Sequence, residues 1–326
     1  MFTPIETALG ALLLHHSTTT LLYNNGAVLG ASGLIRRLLT APTLTTGLFF
    51  AGMSGSAGLM AFVCPELLPS FPGVEQKAGY YLFTVLMGLL TGWGTKGCNG
   101  CTSGHMLCGM SRFSGRSILA TAIFFPTAFI TYFLSHRSGI PTAACPAGQP
   151  CFVPVYPSQA LTQRLLLLAL GTILATNWIP RWLSTRSAQP TLPNRVTYLL
   201  SGFTFGLGLL LSGMGNPDKV QAFFSIYPIR NWDPSLLVVV LCGLVPNSLY
   251  NLTFGLEGKP KFEARFQLPT KSIKDSDWKF VLGAMTFGIS WGLTGTCPGP
   301  AALRTVLQPA WGVLWMAGFW LGSIIG

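Results

Sequence analysis

The sequence has few charged residues, only 9% of its 326 positions, whereas half of the positions are hydrophobic. A soluble domain carries about 25% charged residues, so this composition excludes an ordinary water-soluble protein. Lys and Arg outnumber Asp and Glu by 20 to 9, yet no basic stretch with interleaved aromatics lies outside the apolar runs. We therefore do not predict nucleic-acid binding. No Lys or Arg comes before Arg36, so we also expect no cleavable signal peptide.

Apolar runs near the length that crosses a bilayer make up most of the chain. They are Ile5–Leu22, Leu44–Val63, Ala78–Thr95, Ile118–Leu134, Leu161–Trp178, Val196–Ser212, Leu236–Phe254, Phe280–Leu293 and Trp311–Gly326. We predict an all-α membrane protein, a helical bundle of about eight to nine transmembrane spans with additional short broken or re-entrant helices. The bundle forms one integral membrane domain over residues 1–326, and the plasma membrane is its expected location.

The distribution of positive charge predicts orientation, because cytoplasmic loops carry the excess of Lys and Arg. The predicted cytoplasmic loops contain Arg36 and Arg37, Arg112 and Arg116, Arg181 to Arg195, and Lys259 to Lys279. Three loops with few basic residues should face outward, those near Glu66–Glu75, Ser138–Tyr156 and Asp218–Asp233. Cys145 and Cys151 fall in one of these outward loops, where a disulfide can persist. The sequence leaves open whether they are bridged or free.

Two cysteines lie in glycine-rich breaks that directly follow apolar runs. Sliding the first break on the second places Gly92 on Gly288 and Cys101 on Cys297 without a gap. The charge pattern directs the span before Cys101 inward and the span before Cys297 outward. Interrupted segments at corresponding places of two inverted halves indicate the binding site of a transporter. We therefore predict two pseudo-symmetric inverted halves, about 1–178 and 179–326.

The motifs around these breaks resemble a known family. The run Gly-Cys-Thr-Ser-Gly-His from Gly100 to His105 and the run Gly-Thr-Cys-Pro-Gly-Pro from Gly295 to Pro300 are similar to signatures of YeeE/YedE-type sulphur-transport membrane proteins. Glycine-rich segments at Asn25–Gly33 and Phe205–Pro217 extend the resemblance over nearly the whole chain. The resemblance implies a transporter of thiosulfate, passed along a central path by cysteine thiols. Family members have a further path cysteine in the first half, whereas the matching segment here, Gly26–Gly33, contains none.

The predicted substrate path is lined by residues of both breaks. They are Cys101, Thr102, Ser103, Gly104 and His105 in the first, and Cys297, Thr296 and Gly299 in the second. Thiols are weak hydrogen-bond donors and helix N-termini carry partial positive charge, so both suit a small sulphur-containing anion in transit. Lys96 either attracts the anion or marks the cytoplasmic end of its span. The hydroxyls of Thr102, Ser103 and Thr296 either line the path or cap the following helices, and His105 either donates to the anion or packs structurally.

Other interpretations remain open at this point. Cys98 and Cys101 have the C-x-x-C spacing of a dithiol, as in a membrane redox or sulphur-transfer enzyme. Cys98, Cys101, His105 and Cys108 have the side-chain chemistry of a zinc or copper(I) site but crowd into one short segment. The two path cysteines could also be merely small buried residues. We favour a transporter, not an enzyme, with no metal and no cofactor; its expected partners are the anion, the bilayer and a cytoplasmic protein that accepts sulphur.

Overall fold

The computed structural model describes residues 1–71, 78–135, 145, 149–187, 189 and 191–326, and its regular structure there is helical. The α-helices are α1 (Pro4–Asn25), α2 (Ala31–Thr40), α3 (Leu44–Val63), α4 (Ala78–Gly97), α5 (Gly115–Ser135), α6 (Gln159–Arg186), α7 (Leu192–Leu211), α8 (Pro217–Phe224), α9 (Ser235–Val239), α10 (Val245–Phe254), α11 (Trp278–Thr294), α12 (Pro298–Leu307) and α13 (Pro309–Ile325). Two π-helical segments join this series, Ser103–Gly109 after α4 and Val240–Leu244 between α9 and α10. Each predicted apolar run corresponds to one of these helices or to the α9–α10 pair.

Four helices in the described residues are long and apolar enough to cross a membrane. They are α3, α5, α6 and the continuous helix Ser235–Phe254, which contains α9 and α10. Helices α11 and α12, which meet at a bend of 42°, add a fifth span if the two together are counted as one crossing. The predicted all-α membrane fold is confirmed at this level, while the number of eight to nine spans stays a prediction.

Glycines allow the central helices to pack with their backbones in close contact. Gly88 and Gly92 of α4 face the carbonyl oxygens of Trp315 and Phe319 on α13. On the other flank of α4, a side chain at Gly94 would meet the backbone of Phe287 on α11. Small residues promote this kind of approach between membrane helices. The helix that precedes the first break is therefore held between α11 and α13.

A second set of close contacts surrounds α11. Gly288 and Gly292 of α11 face the carbonyl oxygens of Phe124 and Ala128 on α5. Helix α11 thus lies between α4 and α5, as α4 lies between α11 and α13. The two helices that lead into the cysteine breaks also contact each other directly along their glycines.

Cys145 and Cys151 form a disulfide in the structure. The backbone of Cys151 also holds its neighbours, since its N–H donates to the carbonyl of Arg230 and its carbonyl accepts from the N–H of Phe2. The bridge therefore lies beside the beginning of α1 and the segment before α9.

Candidate functional site

The first break begins where α4 ends at Gly97. Asn99 adopts a left-handed conformation with φ of 61°, and the ring of His105 packs over Gly100, where a Cβ would lie 2.7 Å from its Nε2. The same ring lies 3.0 Å from the carbonyl oxygen of Cys98 and 3.0 Å from the hydroxyl of Ser117. Both ring nitrogens therefore contact protein groups, which fits the structural alternative for His105.

Cys101 lies at the N-terminus of α2, a helix that comes from a distant part of the first half. Its Sγ accepts a hydrogen bond from the N–H of Ser32 at 3.4 Å. Ser103 accepts from the N–H of Ala31 at 3.0 Å, and its hydroxyl lies 3.3 Å from the thiol of Cys101. The side chains of the first break thus satisfy two of the free N–H groups of α2, those of Ala31 and Ser32. They do not cap the π-helical segment that follows the break, where Thr102 makes no capping hydrogen bond.

The second break separates α11 from α12. Gly295 ends α11 with φ of 63°, in the left-handed region that favours glycine, and a Cβ there would collide with the carbonyl oxygen of Pro217 on α8. Cys297 is the N-cap residue of α12, and Pro298 occupies the first helical position. The hydroxyl of Thr296 donates to the carbonyl oxygen of Thr294 at 3.1 Å, so it does not cap α12.

The two breaks meet inside the protein. The hydroxyl of Thr102 donates to the Sγ of Cys297 at 3.4 Å. Cys101 and Ser103 are buried at 1% and 6% exposure, whereas Cys297 is partly accessible. The structure therefore brings together, in one polar contact, two cysteine motifs that are 196 residues apart in the sequence.

Three cavities adjoin these breaks. The first, which we call the inner cavity, has a volume of about 420 Å³ and is bordered by Gly30, Ser32, Gly100 and Gly104. A small central cavity of about 50 Å³ is lined by Thr102, Ser103, Cys297, Gly299 and mainly apolar side chains. The third, the outer cavity, measures about 200 Å³ and contains Thr296, Arg304 and Asp218 among its walls. Adjacent residues of the first break line the inner and central cavities, and adjacent residues of the second break line the central and outer ones.

Most residues predicted for the path border one of these cavities. His105 and Gly104 border the inner cavity and Thr296 the outer one, but neither Lys96 nor Cys101 is among the residues that line the three. The thiol of Cys101 lies behind the wall of the central cavity, 3.3 Å from the hydroxyl of Ser103. Lys96 belongs to the last turn of α4. This position fits the alternative in which Lys96 marks the end of its span. Sequence reasoning missed Ser32, whose buried hydroxyl has no hydrogen-bond partner in the structure. A serine in a glycine-rich segment carries no signal of its own.

The remaining thiols of the first break point to backbone carbonyls. Cys98 donates to the carbonyl of Gly100 at 3.2 Å, and Cys108 to that of Leu29 at 3.3 Å. Cys98 and Cys101 are free rather than bridged. In the part of the chain that the structure describes, no group of three or more His, Cys, Asp or Glu side chains is placed to hold a metal ion. The structure therefore offers no support for the zinc or copper(I) alternative.

These features define an all-helical membrane protein with two broken helices that meet near its centre. A sequence family of unknown function, DUF6691, matches residues 194–322. Among curated proteins, one from Xylella fastidiosa strain 9a5c is 38% identical over 129 residues, which are 39% of this chain and 85% of that protein. A second protein of the same strain is 39% identical over 124 residues, 38% of this chain and 88% of its own length. Both are named "Probable transporter", and the chain belongs to their family.

Proposed function

We propose that this protein is a membrane transporter for a small sulphur-containing anion, with thiosulfate as the substrate. The observation that carries the proposal is the contact between Thr102 and Cys297, because it joins the two breaks between cavities on either side. The relatives named as probable transporters support the general role. The sulphur-containing substrate rests on the chemistry of the thiols and on the resemblance of the two motifs.

The helix packing supports a division into two inverted halves, about 1–178 and 179–326. In the first, α4 leads into a break and packs against α13; in the second, α11 leads into a break and packs against α5. Gly92 and Gly288, which the sequence alignment superimposes, both make these contacts. The relatives from Xylella are less than half as long as this chain. In one of them the matched segment covers 85% of the relative but only 39% of this chain. A chain built from two such units is consistent with that difference.

The charge-based topology supports a path across the membrane. The inner cavity is bordered by Arg36, Arg112 and Lys271, which belong to predicted cytoplasmic loops. The outer cavity is bordered by Ser70 and Asp218, which belong to predicted outward loops. In this arrangement the anion enters at the outer cavity, passes Thr296 and Cys297, crosses the central cavity, and leaves past Cys101. The plasma membrane is the location we propose.

Weak and successive donors suit the transfer of a doubly charged anion. An unpaired charge in an apolar interior is expensive, but a strong site would hold the anion and slow its release. Neutral thiols and hydroxyls at Cys297, Thr102 and Cys101 donate weakly, and their sulphur atoms are polarisable partners for a sulphur-bearing ion. The second break also exposes the N-terminus of α12, whose N–H groups favour negative charge, and the first break lies against the N-terminus of α2. No covalent step and no cofactor is required, and a cytoplasmic protein would accept the sulphur.

Uptake of radiolabelled thiosulfate into proteoliposomes tests the proposal. We expect uptake by the intact protein and its loss in Cys101→Ala and Cys297→Ala variants that remain folded. Cys242→Ala is the matched control, because Cys242 is a free cysteine in the π-helical segment Val240–Leu244, outside both breaks. Full uptake by both path variants would refute the thiol-lined path. Absence of uptake by the intact protein, with disulfide or quinone reduction that depends on Cys98 and Cys101, would favour the redox enzyme instead.

A further inference from the structure

The inner cavity carries an excess of positive charge without a matching acidic group. Its walls contain five cationic side chains, those of Arg36, Arg37, Arg112, Arg116 and Lys271. No Asp or Glu side chain is among the described residues that line it. Cationic side chains held together in a cavity repel one another, so this arrangement is favourable when an anion is present.

One of these arginines is already held by protein groups. The Arg116 Nη1 donates to the carbonyl oxygen of Asp275 at 2.8 Å, and the guanidinium lies 4.1 Å from the centre of the Phe280 ring. Arg116 therefore closes the cavity wall and is less available to a ligand.

The Nε of Arg116 also has no partner, but among the described residues no hydrogen bond like the one from Arg116 to Asp275 holds Arg36 or Arg112. Buried Nε and Nη2 atoms of Arg36, and buried Nη1 of Arg112, have no hydrogen-bond partner in the structure. Buried polar groups are almost always hydrogen-bonded, so such orphaned donors require an explanation. Arg36 lies on α2 about one helical turn after Ser32, whose N–H donates to Cys101. It is therefore placed near the position that an anion would reach after passing Cys101.

The N-terminus of α2 adds neutral donors at the same place. Ser32 is fully buried and its hydroxyl has no partner. Its N–H donates to Cys101, and both Ser32 and the neighbouring Gly33 border the inner cavity. Two kinds of anion donor thus converge there, namely unpartnered guanidinium nitrogens and an unpaired hydroxyl. The helix dipole of α2 favours an anion at the same end, although its first two N–H groups already donate to Ser103 and Cys101.

We propose that the inner cavity is an anion-binding vestibule in which Arg36, Arg112 and the hydroxyl of Ser32 hold a small sulphur oxyanion on the cytoplasmic side of Cys101. The inference rests on the proposed transport function for the direction of travel, but the binding itself does not depend on transport. The vestibule offsets the charge of the anion after it leaves the weak donors of the path. Its solvent-accessible position allows the anion to be released.

Equilibrium binding to the purified full-length protein tests the vestibule. Thiosulfate is titrated calorimetrically at constant ionic strength into the intact protein, Arg36→Gln, Arg112→Gln and Ser32→Ala. We expect affinity to fall by about tenfold or more for each arginine variant, since each removes a charge-assisted hydrogen bond, and less for Ser32→Ala. Arg36→Lys, which keeps the charge, should recover part of the loss. Arg181→Gln is the matched control, because Arg181 is exposed and does not border the cavity.

The two proposals fail in different ways. Binding that requires Arg36 and Arg112, without uptake by the intact protein, supports the vestibule and removes the transport function. Uptake by the intact protein with unchanged thiosulfate affinity in both arginine variants overturns the vestibule alone. An acidic segment of a soluble protein would also be attracted by this charge. If the cavity serves that partner, the purified protein shows no arginine-dependent binding of thiosulfate, and the inference is again overturned.

Discussion

Replacing Gly283 by Ala should disturb the first break from the opposite side of the molecule. Gly283 lies on α11, and a Cβ there would be 2.7 Å from the backbone nitrogen of Cys98 and 2.9 Å from the carbonyl oxygen of Gly94. Ordinary Cβ contacts begin at 3.4 Å, so the two helices must separate locally by about 0.7 Å, the difference between 3.4 and 2.7 Å. Both neighbours are backbone atoms of one helical turn, which cannot rotate away as a side chain would.

We expect two consequences of this separation. Overpacking of this kind destabilises a protein by about 1–3 kcal/mol, so the variant should unfold at a lower temperature in detergent. The hydroxyl of Thr102 and the Sγ of Cys297 are already 3.4 Å apart. A further 0.7 Å would lengthen this distance to about 4.1 Å, which is too long for a hydrogen bond. Thiosulfate uptake should therefore fall even at temperatures where the variant is folded.

Thermal unfolding and uptake are measured together for Gly283→Ala and for Gly58→Ala on α3. A Cβ at Gly58 would meet nothing within 4 Å, and alanine favours a helix over glycine by about 1 kcal/mol. The control should thus be unchanged or slightly more stable. A Gly283→Ala variant that matches the wild type in both measurements would show that α4 and α11 do not pack as closely as described.

Three further predictions concern the path, the bundle interior and the cytoplasmic loop. Gly104→Ala should fold and transport, because its Cβ would lie 3.6 Å from the Cα of Gly30, an ordinary contact distance. Gly104→Val should also fold, but its larger side chain should block the passage between the central and inner cavities and abolish uptake. Equal uptake by the two variants would contradict this prediction. Asn247→Ala should lower the free energy of unfolding by about 1–3 kcal/mol. The buried amide donates to the hydroxyl of Thr18 and to the carbonyl of Leu107, and both acceptors would lose this donor. An unchanged midpoint of chemical unfolding would argue against this network. The backbone N–H and hydroxyl of Ser272 donate to Asp275 and hold the pKa of its carboxyl below the ordinary 3.8. This stabilisation is present above pH 3.8 and is lost as the pH falls through the lowered folded-state pKa. Asp275→Asn should therefore remove a small acid-dependent step in the stability of the loop. An acid titration of the variant that is identical to that of the wild type would contradict this prediction.

The candidate site could be predicted from the sequence in part. A cysteine in a glycine-rich break after an apolar run is a local signal, and it predicted Cys101 and Cys297, whose motifs are in contact in the structure. The role of His105 was not decided locally, because the hydroxyl of Ser117 and the packing over Gly100 become visible only in the folded chain. Arg36 was read from the sequence only as an orientation signal, since charge patterning does not reveal that its guanidinium nitrogens are buried without partners.

The sequence by itself determined that the protein lies in a bilayer and that its secondary structure is helical. Low charge and long apolar runs require a bilayer, and in a bilayer the backbone must satisfy its hydrogen bonds within helices. Only the tertiary structure decided which distant groups the two thiols contact. Cys101 lies at the N-terminus of α2 rather than of the segment that follows it, and Cys297 accepts from Thr102 across 195 residues. These contacts depend on close packing between distant helices, so no local pattern of residues encodes them.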